Sequence, residues 1–121
     1  MSWDLYVGDR NVGNYTHNTN AMIRAASIAP RPIPESPGVA GEVLFREPVL
    51  GTCWNDFEGR PARDAGLFAR DIIAELEREP ERYEPLNPPN KWGSMRTLIL
   101  FLRDVASACE EDPNAVFHAS G

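Results

Sequence analysis

The sequence predicts an α+β fold, with about three main helices and a small antiparallel sheet joining N- and C-terminal strands. Two apolar stripes at helical spacing and short strand-like segments at both ends point to it. The length agrees, because 121 residues fit one domain, 1–121, that buries roughly two-thirds of its extended-chain surface. With 42% hydrophobic residues and three tryptophans, the chain can build a core and is not of disordered composition.

The elements follow in order. Trp3-Asp4-Leu5-Tyr6-Val7 alternates like a half-buried strand. Gly8 to Asn11, with Gly13, reads as a turn. The polar run Asn14 to Asn20 then enters a helix at Ala21–Ala26, which Thr16 or Asn18 can cap by accepting from first-turn N–H groups. From about 27 to 62 the chain is Pro-rich: Pro30, Pro32, Pro34 and Pro37 rule out helix and central strand. An extended loop is expected there, with an edge hairpin of Glu42 to Phe45 against Val49 to Cys53.

Asp64 is placed to cap a helix from Ala65 to about Glu79. Leu67, Phe68, Ile72, Ile73 and Leu76 form its apolar face, and Asp71, Glu75 and Glu79 an acidic surface face. Pro80 ends that pattern, and Glu81-Arg82-Tyr83 adds a short turn. Ser94 caps the last helix, which runs to about Glu111 with Met95, Leu98, Ile99, Leu102, Val105, Ala106 and Cys109 as its stripe. Leu100 and Phe101 lie off the stripe, so this helix is either central or part of a homodimer interface. Pro113 stops it, and Ala115 to His118 reads as the closing strand.

Charge and composition exclude several partners. A net charge of −6 and a pI near 4.8, without a Lys/Arg stripe, argue against nucleic acid. A pocket for one phosphate is compatible with this charge, since a few N–H groups and one Arg can build it. Met1-Ser2-Trp3-Asp4 lacks a signal peptide's basic and apolar regions, and the run Leu98 to Leu102 is too short to span a bilayer. No membrane partner is expected, and the location is cytoplasmic, in a bacterium or a phage-infected cell. Cys53 and Cys109 read as reduced thiols in that compartment.

Asn14-Tyr15-Thr16-His17-Asn18 with Met22, Pro80 and Tyr83, Asn87-Pro88-Pro89-Asn90-Lys91-Trp92-Gly93-Ser94, and Phe101, Cys109, Pro113 and Ala115 form an ordered pattern. It resembles a family of small uncharacterised proteins of bacteria and their phages. That family carries an N-Y/I-T-x-N-x-x-x-M segment, an N-P-x-N-G-W-G segment and a Cys-containing C-terminal helix. Lys91 stands where the family has Gly. The resemblance covers most of the chain outside 27–62 and brings no activity with it, only a context of host interference by phage.

Three constellations are candidates for chemistry. Tyr15, Thr16, His17, Asn18 and Asn20 offer hydrogen bonds and a helix dipole to an anion; the alternative is an elaborate N-cap. Asn87, Asn90, Trp92, Gly93 and Ser94 open a second helix, where Trp92 could stack on a ring and Gly93 admit a ligand to the backbone. The alternative is a Trp that anchors a loop. In the long loop, Cys53-Trp54-Asn55-Asp56 suggests Trp54 over a ligand, with Asn55 and Asp56 on its polar edge. Catalysis by Cys53 with His17 or His118 lacks the flanking signatures. His17, Cys53, Cys109 and His118 lack zinc spacing, and no phosphate loop or hydrolase motif is present, so no metal, cofactor or catalytic residue is assigned.

The expectation is therefore non-enzymatic binding of a small polar or anionic, nucleotide-like ligand where the two helix openings converge. In a phage this would sequester a host signalling molecule. The alternative is a protein-interaction module acting on a host protein through the Pro-rich loop and the last helix. A third reading is an enzyme with His17 as acid or base.

Overall fold

Strand segments at the two ends of the chain and helical stripes between them produce two layers, a small sheet and a set of helices, sharing one core. The computed structural model describes residues 2–32, 45–46, 50–87 and 93–121, without the side chains of His17, Pro32, Phe45 and Arg46. In chain order the elements are β1 (Ser2–Val7), β2 (Arg10–Thr16), a 3-10 turn (His17–Thr19), α1 (Asn20–Ile28), β3 (Arg31–Pro32) and β4 (Phe45–Arg46). A second 3-10 turn (Trp54–Phe57), α2 (Ala62–Arg78), α3 (Pro80–Tyr83), a third 3-10 turn (Glu84–Leu86), α4 (Met95–Glu111) and β5 (Phe117–Ser120) complete them.

The expected sheet is present, in the order β2-β1-β5, antiparallel throughout. β1 is its central strand, and alternation buries Trp3, Leu5 and Val7. The far edge of β5 is closed as well. Gly59 N–H donates to Phe117 O and Phe117 N–H to Arg60 O, both at 2.9 Å. These bonds remove a free edge that could pair with another chain.

β2 corrects the sequence reading. Gly13, Asn14, Tyr15 and Thr16 belong to a strand paired with β1, Ser2 facing Thr16 and Leu5 facing Gly13. The helix begins only at Asn20, after the first 3-10 turn, and its N-cap Thr19 makes no side-chain capping bond. Thr16 Oγ1 instead accepts from Asn18 N–H at 3.1 Å, within the turn. Thr16 therefore serves the turn and not the first turn of α1.

The long helices bury Phe68, Ile72 and Leu76 of α2 against Leu98, Leu102 and Val105 of α4, with Met22, Ile23 and Ala26 of α1 in the same core. α2 and α4 run in opposite directions, since Arg70 pairs with Glu110 and Glu77 with Arg103. Ser94 caps α4 as expected, accepting from Thr97 N–H at 3.2 Å. Asp64 does not cap α2, whose cap is Pro61; its carboxylate meets Arg60, just before the helix, at 3.1 Å. Leu67 leaves the expected apolar face and is 59% exposed. Phe101 is buried, its ring stacked on Tyr15 at 4.8 Å between centroids, whereas Leu100 is 51% exposed. Helix α4 is thus internal at one of its two off-stripe positions.

The acidic face of α2 is not all surface. Glu75 is 1% exposed. Its Oε1 accepts from Arg78 Nη2 at 2.6 Å, and its Oε2 accepts from the buried Tyr83 hydroxyl. Arg31, also buried, forks onto Asp71 at 2.9 and 2.7 Å and lies 3.7 Å from Glu75. Burial, with the Glu75 bond, pushes the Tyr83 phenol well above its ordinary pKa and keeps it a donor. Arg31 thereby ties the start of the Pro-rich section to α2. In that section β3 pairs with β4, Arg31 opposite Arg46 and Pro32 opposite Phe45. The expected partner of Phe45 was Val49 to Cys53. Val49 and Glu42 to Leu44 lie outside the described residues, and 50–53 form no strand. Among the described residues no helix is long and apolar enough to cross a membrane.

Candidate functional site

The two helix openings do meet. Gly93, at φ +93°, packs so closely that a Cβ there would lie 2.8 Å from Thr16 Cγ2 and 3.2 Å from the Tyr15 hydroxyl. Tyr15 OH lies 2.5 Å from Thr97 Oγ1 and 3.5 Å from Ser94 O. Glycine is required here both by its backbone angle and by the contact. The α4 opening has most of its donors met within the chain: Asn87 Oδ1 accepts from Met95 N–H at 2.8 Å, and Ser94 supplies the acceptors for Thr97 and Leu98. Asn90 and Trp92 lie outside the described residues, and so does the His17 side chain.

A concavity forms beside this junction, between α1 and the loop before α2. Its volume is about 170 Å³, and Asn20, Ile23, Arg24, Thr52, Cys53 and Trp54 line it. The loop is shaped by Asp56. That carboxylate accepts from Thr52 N–H at 2.8 Å, Cys53 N–H at 3.3 Å and Thr52 Oγ1 at 3.3 Å. The bond from the Thr52 amide, above the other causes, holds the Asp56 carboxyl below its ordinary range. A charged Asp56 thus folds the chain back so that Cys53 and Trp54 face α1.

Trp54 plays a different part from the one its sequence suggests. Its ring is 1% exposed and packs edge-on against Phe68 at 5.4 Å and Phe101 at 6.3 Å, and beside Phe117 at 5.9 Å. It is a core anchor that also contributes to the cavity lining. Its indole N–H is buried and has no partner among the described residues. Such a group usually finds one. Asn55 and Asp56 are exposed and lie outside the lining, so Asp56 shapes the loop and contributes no lining surface of its own.

Of the sequence-predicted residues, Asn20 and Trp54 come together at the cavity. Tyr15, Thr16, Gly93 and Ser94 come together at the junction. Asn18 is exposed in the turn between them. Arg24 was missed, although it sits one helical turn after Asn20, the spacing that puts two side chains on one face. Ile23 and Thr52 carried no signal of their own. The other thiol, Cys109, is buried against Gly66, and burial pushes it up to about 11. Among the described residues no group of three His, Cys, Asp or Glu is placed to hold a metal ion. Compared with known proteins, the chain matches no family model, no curated protein and no solved structure.

Proposed function

We propose that the protein binds a small polar or anionic ligand and releases it unchanged, using the cavity between α1 and the Thr52–Trp54 loop. The observation that carries this reading is the meeting of Asn20, Arg24 and Trp54 around one concavity, with Ile23 as an apolar wall. Binding sites of small molecules pair an apolar lining with a few placed polar groups, and these residues have that composition. Arg24 adds a local positive charge to a chain whose net charge is −6.

The test is native mass spectrometry of the full chain purified from its own cells. A small added mass should accompany the 13.5 kDa chain, leave intact on denaturation, and be lost from Arg24→Ala while the fold persists. A chain of bare mass in both proteins refutes the reading. Recovery of a hydrolysed or rearranged molecule transfers it to catalysis.

A further inference from the structure

Polar groups on α1 that only donate hydrogen bonds select ligand atoms that accept them. At Asn20 the carbonyl end is taken, because Oδ1 accepts from the Trp3 indole N–H at 2.9 Å. An indole nitrogen only donates, so this bond fixes which way the amide lies and leaves its NH₂ as the available end. Arg24, on the next turn of α1, is exposed and forms no ion pair among the described residues. Trp54 contributes its ring to the wall, and its own indole N–H is buried beneath the surface. Among the described residues the lining holds no Asp or Glu, and its one hydroxyl, on Thr52, donates to Asp56 at 3.3 Å. The Asp56 carboxylate on the same loop is bonded to Thr52 and Cys53.

Resting on the cavity reading above, we infer that the ligand is a small monocarboxylate. Its oxygens accept from Arg24 and the Asn20 amide, and its short apolar part lies against Ile23 and the Trp54 ring. One arginine balances a single negative charge, which suits a carboxylate better than a phosphate dianion. The volume of about 170 Å³ is below the roughly 300–1,000 Å³ of pockets that take drug-sized ligands. That suits a molecule of a few heavy atoms better than a nucleotide.

The experiment is a two-dimensional ¹H–¹⁵N titration of the full chain with propionate, propionamide and inorganic phosphate, each from about 10 μM to about 50 mM, a range that spans the affinities open to so few atoms. Trp54→Phe identifies the Trp54 indole resonance; Arg24→Gln, at an exposed position, keeps the test independent of that core change. Propionate should shift the indole resonance saturably, with propionamide and phosphate at least about tenfold weaker and Arg24→Gln weakening propionate by a similar factor. Equal affinity for propionamide overturns the inference, since charge is then not read, and leaves the cavity reading intact. Preference for phosphate overturns it in favour of another oxyanion. Absence of a saturable shift with any of the three also overturns it, while the cavity reading is decided separately by the added mass in the purified chain.

Discussion

Asp56 shows how one ionised side chain shapes a wall of the cavity. Its three acceptor contacts hold the loop that presents Cys53 and Trp54. Asp56→Asn replaces a charged acceptor by a neutral one and should cost about 0.5–1.5 kcal/mol, a range discounted because the group is exposed. The pH dependence has a definite sign. Folded Asp56 titrates below its ordinary value of 3.8, chiefly through the Thr52 amide bond. As pH falls, the unfolded chain therefore takes up this proton first. The stabilisation is complete above about pH 5 and fades as pH drops through 3.8 and the lower folded value. Urea midpoints of both proteins from pH 6 to about pH 3 check this. The gap between them should close toward the acid end, and a constant gap would mean that the Asn change acts through packing instead. The sequence showed Asp56 as a polar neighbour of Trp54, but not that its partners were the amides just before it.

At the scale of elements, periodicity located the helices well and misjudged residues whose partners are distant in sequence. Ser94, Leu98 and Leu102 of α4 follow from spacing alone, because a helix face is a local property. Strand β2 does not. Arg10–Thr16 is mostly polar, only half-buried and contains Gly13, so pairing with β1 defines it more than its own pattern does. Glu75 sits in a run of charges that reads as surface, yet Arg31, forty-four positions earlier in the chain, and Tyr83 close over it. Removing one member of a buried ion network leaves the others uncompensated. Glu75→Ala should therefore destabilise by about 3–5 kcal/mol, through Arg31 and Arg78. Glu75→Gln, which keeps an acceptor for Tyr83, should cost less. Chemical denaturation measures both; a loss under about 1 kcal/mol for the alanine variant would mean that Arg31 reaches water when Glu75 is gone. Hydrogen exchange at the Arg31 amide should rise in the same order, because the network is what ties that segment to α2.

For the whole molecule, the α+β class and the joining of N- and C-terminal strands were legible, because both ends carry short strand-like patterns and the middle carries helices. The site was legible only in part. Asn20 and Trp54 could be singled out by type, but the concavity between them depends on how α1 meets a loop some thirty residues on. The homodimer expectation leaned on Leu100 and Phe101, and Phe101 is occupied by Tyr15 and Trp54 within this chain. The two thiols offer a probe of the molecule as one cooperative unit. Cys53 is half-buried at the cavity, whereas Cys109 is fully buried in the α2–α4 contact with its pKa pushed up to about 11 by burial. A thiol reagent at neutral pH should modify Cys53 in the native state. It should reach Cys109 only when α2 and α4 separate, which requires opening the shared core. Even about 4–5 kcal/mol of stability slows that step by roughly a thousandfold or more. Mass spectrometry of timed aliquots should show one fast addition and one slow one, and Cys53→Ser should abolish the fast one alone. Propionate should slow the fast phase and leave the slow phase little changed, placing a carboxylate against Cys53 in the cavity. Two fast additions would instead mean that α2 and α4 separate locally, without unfolding the rest of the core.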